Sequence, residues 1–200
     1  DEIEGSDRAP NAVLAINPQV ICEAREALRA GPLEGRAVLV KDNIETREFP
    51  TTADSLALAG NATGRDAPLI ANLRRNGGVV LGKTNLSEWA NFRGKNSISG
   101  WSTRGGQTRN PYALDRSPSG SSSGTGAALA ANFASLGVGT ETDGSITSPA
   151  HVNGLVTRYA HASRLLVARG AAVRQGDRIA QVGASGRATG SADRGRAARG

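Results

Sequence analysis

The feature that most constrains this chain is a serine-glycine segment, Gly120–Gly124, that runs directly into the alanine-rich stretch Thr125–Phe133. Alanine has the highest intrinsic helix propensity, so this stretch predicts a helix. An apolar stretch, Leu136–Thr140, predicts a strand that passes into a second glycine loop ending at Ser145. Glycine admits positive φ angles and lets a backbone approach another molecule closely. Loops of this kind at strand ends are typical of ligand sites in α/β sheets.

The alternation of strands and helices extends towards the N-terminus. Six further elements are predicted: a strand at Asn11–Asn17, a helix from Pro18 to Gly31, a strand at Ala37–Val40, a helix at Asp66–Asn76, a strand at Val79–Leu81 and a helix at Asn85–Phe92. Proline favours the first turn of a helix, and glycine often ends one. The sequence therefore predicts an α/β fold in which helices cover a sheet.

Composition limits the remaining possibilities. Two hundred residues suffice for one domain or slightly more, and 4% aromatic residues with no Met imply a mainly aliphatic core. Cys22 is the only cysteine, which excludes an intrachain disulfide and favours a reducing compartment. No apolar run approaches the roughly 18–20 residues that span a bilayer, and the acidic start does not resemble a signal peptide. We therefore expect a cytoplasmic protein without a membrane span.

The net charge of +6 belongs to the C-terminal quarter. Residues 157–200 carry nine arginines and two aspartates, whereas residues 1–156 have a net charge of −1. The arginines are not interleaved with aromatic side chains, as they would be in a stacking nucleic-acid site. We therefore expect no nucleic-acid partner.

Serine and lysine residues in and before the glycine loops suggest acyl-transfer chemistry. A serine hydroxyl is a poor nucleophile until a base removes its proton. A lysine becomes such a base when burial lowers its pKa, and Lys41 follows an apolar strand. Successive N–H groups in a glycine-rich loop can hold an oxyanion. Together these groups suggest a Ser-Ser-Lys relay. Taken alone, the serine-glycine segment has a simpler interpretation as a linker, and Lys41 as a surface lysine.

Two other site types compete for the serine-glycine segment. Gly120–Gly124 matches G-x-S-x-G with Ser122 at its centre. Asp143 and His161 then follow in the order of an α/β-hydrolase triad. A nucleophile elbow follows an apolar strand, however, and Asn110–Pro118 is not one. A P-loop would end in Gly-Lys-Ser/Thr, which is also missing. We therefore disfavour both and expect Ser122 to support the site by hydrogen bonding.

Five segments, in order along the chain, resemble those of one enzyme family. They are VKDNI at Val40–Ile44, LGKTNLSEWANFR at Leu81–Arg93, GGQTRNPY at Gly105–Tyr112, SPSGSSSG at Ser117–Gly124 and TETDGSI at Thr140–Ile146. Over about residues 11–156 the chain resembles the amidase signature family, and its GTETDGSI and GSSSGTGAA strings look most like the peptide amidase branch. The resemblance implies a mixed-sheet α/β core with helices on both faces, and no metal or organic cofactor.

The resemblance also implies a role for individual residues. Ser145 would be the nucleophile, Ser121 the bridging serine on a cis peptide bond, and Lys41 the terminal base. The backbone N–H groups of the loop that ends in the nucleophile would form the oxyanion hole: Thr142, Asp143, Gly144 and Ser145. Attack on an amide carbonyl would give an acyl-enzyme, which water would then hydrolyse.

The C-terminal quarter has a different pattern. From Gly170 to Gly183 glycines separate short β-type segments, and together with Asn153–Ser163 they resemble part of a lysostaphin-like zinc metallopeptidase. His161 would match an active-site histidine of that family. Because His151 and His161 are the only histidines and the other expected ligands are absent, the chain cannot build that family's three-ligand zinc site.

The family's expected continuation is also missing. After an NGLV-like string we expect a Gly-x-Lys-Pro-Thr segment and a long second half, which do not follow Asn153–Val156. We therefore interpret the chain as a truncated amidase signature domain at residues 1–156, a peptidase-like β fragment at 157–190 and a disordered tail at 191–200. The predicted function is hydrolysis of a carboxylic or peptide C-terminal amide. A catalytically inactive chimera and a cell-wall-binding fragment are the alternatives, and the oligomeric state stays open.

Overall fold

The central strand of the fold is an apolar run that ends in Lys41. The structure is a computed structural model that describes residues 10–92, 94, 96–154, 162–166 and 180–182. The helices and strands of its main part are, in chain order, β1 Val13–Ile16, α1 Val20–Ala27, β2 Ala37–Lys41, α2 Pro68–Arg75, β3 Val79–Thr84, β4 Trp101–Ser102, β5 Gly106–Gln107, α3 Ser123–Ala130, β6 Leu136–Val138 and α4 Thr147–Val152. Short 3-10 helices lie at Leu56–Leu58 and Glu88–Asn91.

Four strands form a mixed sheet in the order β1-β3-β2-β6. β2 runs parallel to both β3 and β6, with Lys41 opposite Thr84 and Val40 opposite Val138, whereas β1 is antiparallel to β3. The carboxyl ends of the three parallel strands therefore lie at one edge, where ligands bind in sheets of this type. β4 and β5 form a separate antiparallel pair.

Neighbouring residues of β2 face opposite sides of the sheet, and a helix covers each side. Val38 and Val40 belong to the same buried cluster as Ile70 of α2. Leu39 belongs to a second cluster with Ala127 of α3. The predicted α/β fold, a mixed sheet with helices on both faces, is confirmed.

The predicted helix at Asn85–Phe92 is wrong. A short 3-10 turn at Glu88–Asn91 forms instead, and φ is positive at three consecutive residues, Trp89–Asn91. Residues with positive φ do not fit a right-handed helix. The Trp89 N–H donates to the carbonyl oxygen of Ala53 at 3.1 Å, so a contact distant in sequence replaces the helical hydrogen bond to Asn85.

The other predicted elements are present with shifted ends. β3 continues to Thr84, three residues beyond its predicted end, because it pairs with strands on both sides. α1 is shorter than predicted and ends at Ala27. α3 begins at Ser123, two residues before its predicted start, so the serine-glycine segment itself forms the first turn of the helix.

The chain divides into two compact units, Asp1–Val156 and Thr157–Gly200. In the second unit the described residues form an antiparallel pair of strands, β7 Ala162–Leu165 and β8 Ala180–Val182. His161 and the predicted tail at residues 191–200 lie outside the described residues. Among the helices that the structure describes, none is long and apolar enough to cross a membrane.

Two neighbouring residues of α2 test how the sheet is covered. Ile70 is fully buried, whereas Leu69 is 53% exposed. We expect Ile70→Ala to lower the free energy of unfolding by about 2–5 kcal/mol, because it leaves a cavity against β2. Leu69→Ala serves as the control and should cost less than about 1 kcal/mol. Urea unfolding followed by circular dichroism measures both, and equal losses would contradict this packing.

Candidate active site

Lys41 ends β2, and its side chain is fully buried. Its Nζ lies 2.7 Å from Ser121 Oγ, 2.8 Å from Thr140 Oγ1 and 3.2 Å from the Thr140 carbonyl oxygen. Burial lowers the pKa of Lys41 to about 7, an effect that the negative charge of Glu141 opposes. An amine with a pKa in this range can accept a proton near neutral pH.

Ser121 lies in the turn that enters α3. It is fully buried and follows a cis peptide bond from Gly120, as the family resemblance implied. Three residues later, a Cβ on Gly124 would lie 2.4 Å from the carbonyl oxygens of Ala12 and Asn85. The turn thus needs glycine to pack this closely against its neighbours, and the close packing fixes the position of Ser121.

Ser145 lies in the loop between β6 and α4 and is partly buried. Its carbonyl oxygen accepts a hydrogen bond from the Ser122 N–H at 3.0 Å, which ties this loop to the serine-glycine segment. Ser122 Oγ donates to the Thr140 carbonyl oxygen at 3.2 Å. Within the described part of the chain, the Ser145 hydroxyl makes no hydrogen bond and is available to a ligand.

One cavity brings Ser121 and Ser145 to the same surface. Its volume of about 410 Å³ lies within the range of about 300–1,000 Å³ that is typical of small-molecule sites. Its lining residues come from four separate segments: Asn43, Ala90, Asn91, Phe92, Gly120, Ser121, Thr140, Thr142, Asp143 and Ser145. Lys41 does not line the cavity, but its amine contacts Ser121, which does.

The four predicted oxyanion donors lie in the loop Thr142–Ser145, which lines this cavity. The Gly144 N–H donates to Glu141 Oε1 at 3.2 Å. The other three N–H groups of the loop have no acceptor among the described residues. Gly144 has a φ of 74°, a left-handed conformation that favours glycine. Of the four predicted donors, only Gly144 thus has an acceptor among the described residues.

Sequence reasoning missed three residues of the site. Thr140 contacts Lys41 through both its hydroxyl and its carbonyl group, and Asn43 donates to Thr140 Oγ1 at 2.9 Å. Asn91 lines the cavity with a buried Oδ1 that has no hydrogen-bond partner in the described structure. Thr140 and Asn43 belong to the same motifs as the predicted residues, which was a usable signal. Asn91 depends on the positive-φ turn, which the sequence pattern did not predict.

A buried ionic cluster begins next to Lys41. Asp42 Oδ1 lies 3.0 Å from Lys83 Nζ, and Asp42 Oδ2 lies 3.3 Å from Arg104 Nη1. Thr52 also donates to the Asp42 carboxylate through its hydroxyl and, at 3.2 Å, through its N–H. Removing one member would leave a buried charge without compensation, so the cluster fixes the loop after β2.

The described residues give little support to the alternative sites that the sequence suggested. Ser122, the centre of the G-x-S-x-G match, donates its hydroxyl to a backbone carbonyl oxygen. His161, the third member of that arrangement, lies outside the described residues. No group of three or more histidine, cysteine, aspartate or glutamate side chains among the described residues is placed to hold a metal ion.

Comparison with a known family decides what the chain is related to. The family model described as "Amidase" matches residues 1–187. This chain belongs to the amidase family. The match includes β2, the serine-glycine segment and the loop that carries Ser145. It also covers most of residues 157–190, and the comparisons give no support to the predicted resemblance of that stretch to a zinc metallopeptidase.

Curated relatives match the chain over most of its length. A probable amidase of Arabidopsis thaliana is 46% identical over 156 residues, which are 73% of this chain and 30% of the relative. A subunit of the glutamyl-tRNA(Gln) amidotransferase of Saccharolobus solfataricus is 38% identical over 170 residues, which are 82% of this chain and 34% of that protein. The chain thus spans about a third of the length of these relatives.

Solved structures give the same result. The X-ray structure of the native peptide amidase of Stenotrophomonas maltophilia is similar with 55% identity and a TM-score of 0.71, covering 76% of this chain and 33% of the other. A peptide amidase in complex with the competitive inhibitor chymostatin also has 55% identity and a TM-score of 0.71, covering 74% and 32%. The predicted similarity to the amidase signature family, with peptide amidases as structural neighbours, is confirmed.

The lowered pKa of Lys41 has a measurable consequence for stability. Between about 7, the value in the folded chain, and the ordinary value of 10.5, the unfolded chain binds a proton that the folded chain does not. The contribution of Lys41 to the free energy of unfolding should therefore rise with pH across this window. Burial also lowers the pKa of Lys83, which adds a rise of the same sign.

Lys41→Met isolates the first contribution, because Lys83 is present in both proteins. We expect the free energy of unfolding to increase less between pH 7 and pH 9.5 in the variant than in the unmodified chain. Urea titrations at both pH values measure the difference. An identical pH dependence in the two proteins would show that Lys41 titrates at its ordinary pKa.

Proposed function

We propose that this chain carries the catalytic residues of an amidase that hydrolyses a carboxylic amide or the C-terminal amide of a peptide. The observation that carries the proposal is the 2.7 Å hydrogen bond between the buried Lys41 Nζ and Ser121 Oγ, in the wall of a cavity that Ser145 also lines. A buried amine with a pKa of about 7 is suited to accept a proton at neutral pH.

In the proposed mechanism Ser145 is the nucleophile. Its Oγ attacks the amide carbonyl carbon while its proton passes to Ser121 Oγ, and the Ser121 proton passes to Lys41 Nζ. The C–N bond then breaks, the amine or ammonia leaves with the proton returned through the same relay, and an ester remains on Ser145. Water, deprotonated by the same relay, hydrolyses this ester and releases the acid.

The developing oxyanion needs hydrogen-bond donors that are already in position. We propose the N–H groups of Thr142, Asp143 and Ser145, which have no acceptor among the described residues. Gly144, the fourth predicted donor, would have to share its N–H with Glu141.

Two features of the cavity support a peptide amide as the substrate. The buried Asn91 Oδ1 lacks a partner in the described structure and could accept a hydrogen bond from a substrate N–H. The Phe92 ring lines the cavity and is 83% exposed, so an apolar substrate side chain would bury its surface. The 55% identity to a peptide amidase favours the same substrate class.

A second candidate is a catalytically inactive chain. It is favoured by one observation: the Ser145 hydroxyl makes no hydrogen bond to Ser121 within the described structure. A Ser-Ser-Lys triad requires the Ser145–Ser121 contact to form when substrate binds, and an activity measurement separates the two candidates.

Hydrolysis of an N-acetylated dipeptide amide, followed by ammonia release, tests the proposal. We expect activity in the unmodified chain and a loss of at least about a thousandfold in Ser145→Ala and Ser121→Ala, because each removes one member of the relay. Ser123→Ala is the matched control. Ser123 is equally buried in the same segment, but its hydroxyl contacts Ser87 and the Ser121 carbonyl oxygen rather than Lys41. Ser123→Ala should retain activity within about tenfold.

No ammonia release by the folded chain would instead favour the inactive candidate. Equal activity in Ser121→Ala and the control would remove the bridging serine from the mechanism.

The pH dependence of kcat/KM provides an independent prediction. Lys41 must be neutral to accept the proton, so activity should rise with pH and level off above an apparent pKa of about 7. A stopped ammonia assay between pH 5 and pH 9 measures the profile. A rate that is already constant at pH 5.5 would contradict the role of Lys41 as the base.

A further inference from the structure

Glu141 holds the loop that carries Ser145, although neither the sequence motifs nor the proposed mechanism gives it a role. Its Oε2 accepts hydrogen bonds from the N–H groups of Ile146 and Thr147, each at 2.7 Å. Its Oε1 accepts from the Gly144 N–H at 3.2 Å and from Thr147 Oγ1 at 3.3 Å. The two residues that flank Ser145 along the chain are thus both tied to one carboxylate.

The backbone of Ser145 is fixed on a further side. Its carbonyl oxygen accepts the Ser122 N–H at 3.0 Å, next to Ser121 in the serine-glycine segment. Glu141 holds the Ile146 N–H, which belongs to the peptide group after Ser145. In the peptide group before Ser145, the Gly144 carbonyl oxygen accepts the Ser148 N–H at 2.9 Å, and the Ser145 N–H has no acceptor among the described residues.

Helix capping alone does not account for these contacts. A carboxylate that accepts the first N–H groups of α4 would stabilise that helix. The bond from Gly144, however, lies before the helix, which begins at Thr147. Gly144 also has a positive φ, so Glu141 closes a turn around Ser145 in addition to capping α4.

The same carboxylate acts on the base. Its negative charge favours the protonated form of Lys41 and offsets part of the effect of burial on the pKa of the amine. Other charged groups around β2 and the cavity are Asp42, Lys83, Arg104 and Asp143. Asp42 is paired with both Lys83 and Arg104, which reduces its influence on Lys41.

We infer that Glu141 is a positioning residue for the proposed amidase reaction, which fixes the backbone on both sides of Ser145 and aims its hydroxyl and N–H into the cavity. The inference rests on the proposed function. It assigns Glu141 no contact with substrate, and its effect passes through Ser145 and Lys41.

Two substitutions of Glu141 distinguish the effect of holding the loop in position from the effect of the negative charge. Glu141→Gln removes the charge and replaces one acceptor oxygen by an NH2 group, which faces N–H donors. We expect kcat to fall about tenfold or more with KM changed less than about threefold. The apparent pKa of the kcat/KM profile should also fall, because the charge that favours protonated Lys41 is gone.

Glu141→Asp keeps the charge but shortens its reach by one methylene. It should lower kcat while the pH profile stays in place, since the charge near Lys41 remains. Glu26→Gln is the matched control. Glu26 is an exposed glutamate of α1 outside the cavity, so its substitution removes the same charge and should change neither kcat nor the profile.

A second pair of measurements does not depend on turnover. Hydrogen exchange of the backbone amides of Gly144, Ile146 and Thr147 should be at least tenfold faster in Glu141→Gln than in the unmodified chain. The Lys41 amine, followed by NMR, should titrate at a lower pH in that variant. If the unmodified chain hydrolyses no amide, the proposed function fails while these two measurements still decide whether Glu141 holds the loop.

Unchanged amide exchange in Glu141→Gln would overturn the inference. A kcat and pH profile equal to those of Glu26→Gln in an active enzyme would overturn it as well. Rapid exchange together with a slower kcat and a lower apparent pKa would support it.

Discussion

The structure depends on the burial of one amine whose hydrogen-bond acceptors are all uncharged. Lys41 Nζ is satisfied by Ser121 Oγ and by two oxygens of Thr140, without a carboxylate in contact. Lys83, on the adjacent strand, is equally buried but lies 3.0 Å from Asp42. A buried ammonium is costly unless it is paired, so the two lysines differ in how readily they lose a proton. Lys41, which has no carboxylate in contact, is the lysine that contacts a serine of the cavity.

The rest of the fold holds this amine and the two serines close together. The apolar residues of β2 are packed on both faces and deliver Lys41 to the edge of the sheet at which parallel strands end. Gly124 lets the first turn of α3 approach Ala12 and Asn85, which adjoin β1 and β3, and this close packing positions Ser121 next to the amine. The Ser122 N–H then ties the loop of Ser145 to the same place, and Glu141 holds that loop together from within. Three segments distant in sequence thereby form one site.

Much of the fold and of the candidate site could be predicted, because local sequence patterns determine the strands, the helices and the motifs. Apolar runs identified β2 and β3, the alanine-rich stretch identified α3, and the order of motifs singled out Lys41, Ser121 and Ser145 before any contact was known. The failures arose where tertiary contacts override local preference. Nothing in residues 85–92 indicates positive φ at Trp89–Asn91, because distant contacts hold this segment: the Ser87 N–H donates to Ser121 and the Trp89 N–H donates to Ala53. Asn91 was missed together with that turn. Thr140 and Glu141 stand in a recognised motif, but their importance comes from what they contact.

The most direct test of the central claim is covalent labelling of the folded chain by a fluorophosphonate, read by intact mass and peptide mapping. A relay that runs from Ser145 through Ser121 to Lys41 predicts one adduct, on Ser145, that is absent in Ser145→Ala and forms far more slowly in Lys41→Met. The control is the buried-serine variant Ser123→Ala, which should label at nearly the original rate. An adduct on Ser122, or labelling of Ser145 at the same rate without the Lys41 amine, would contradict the account.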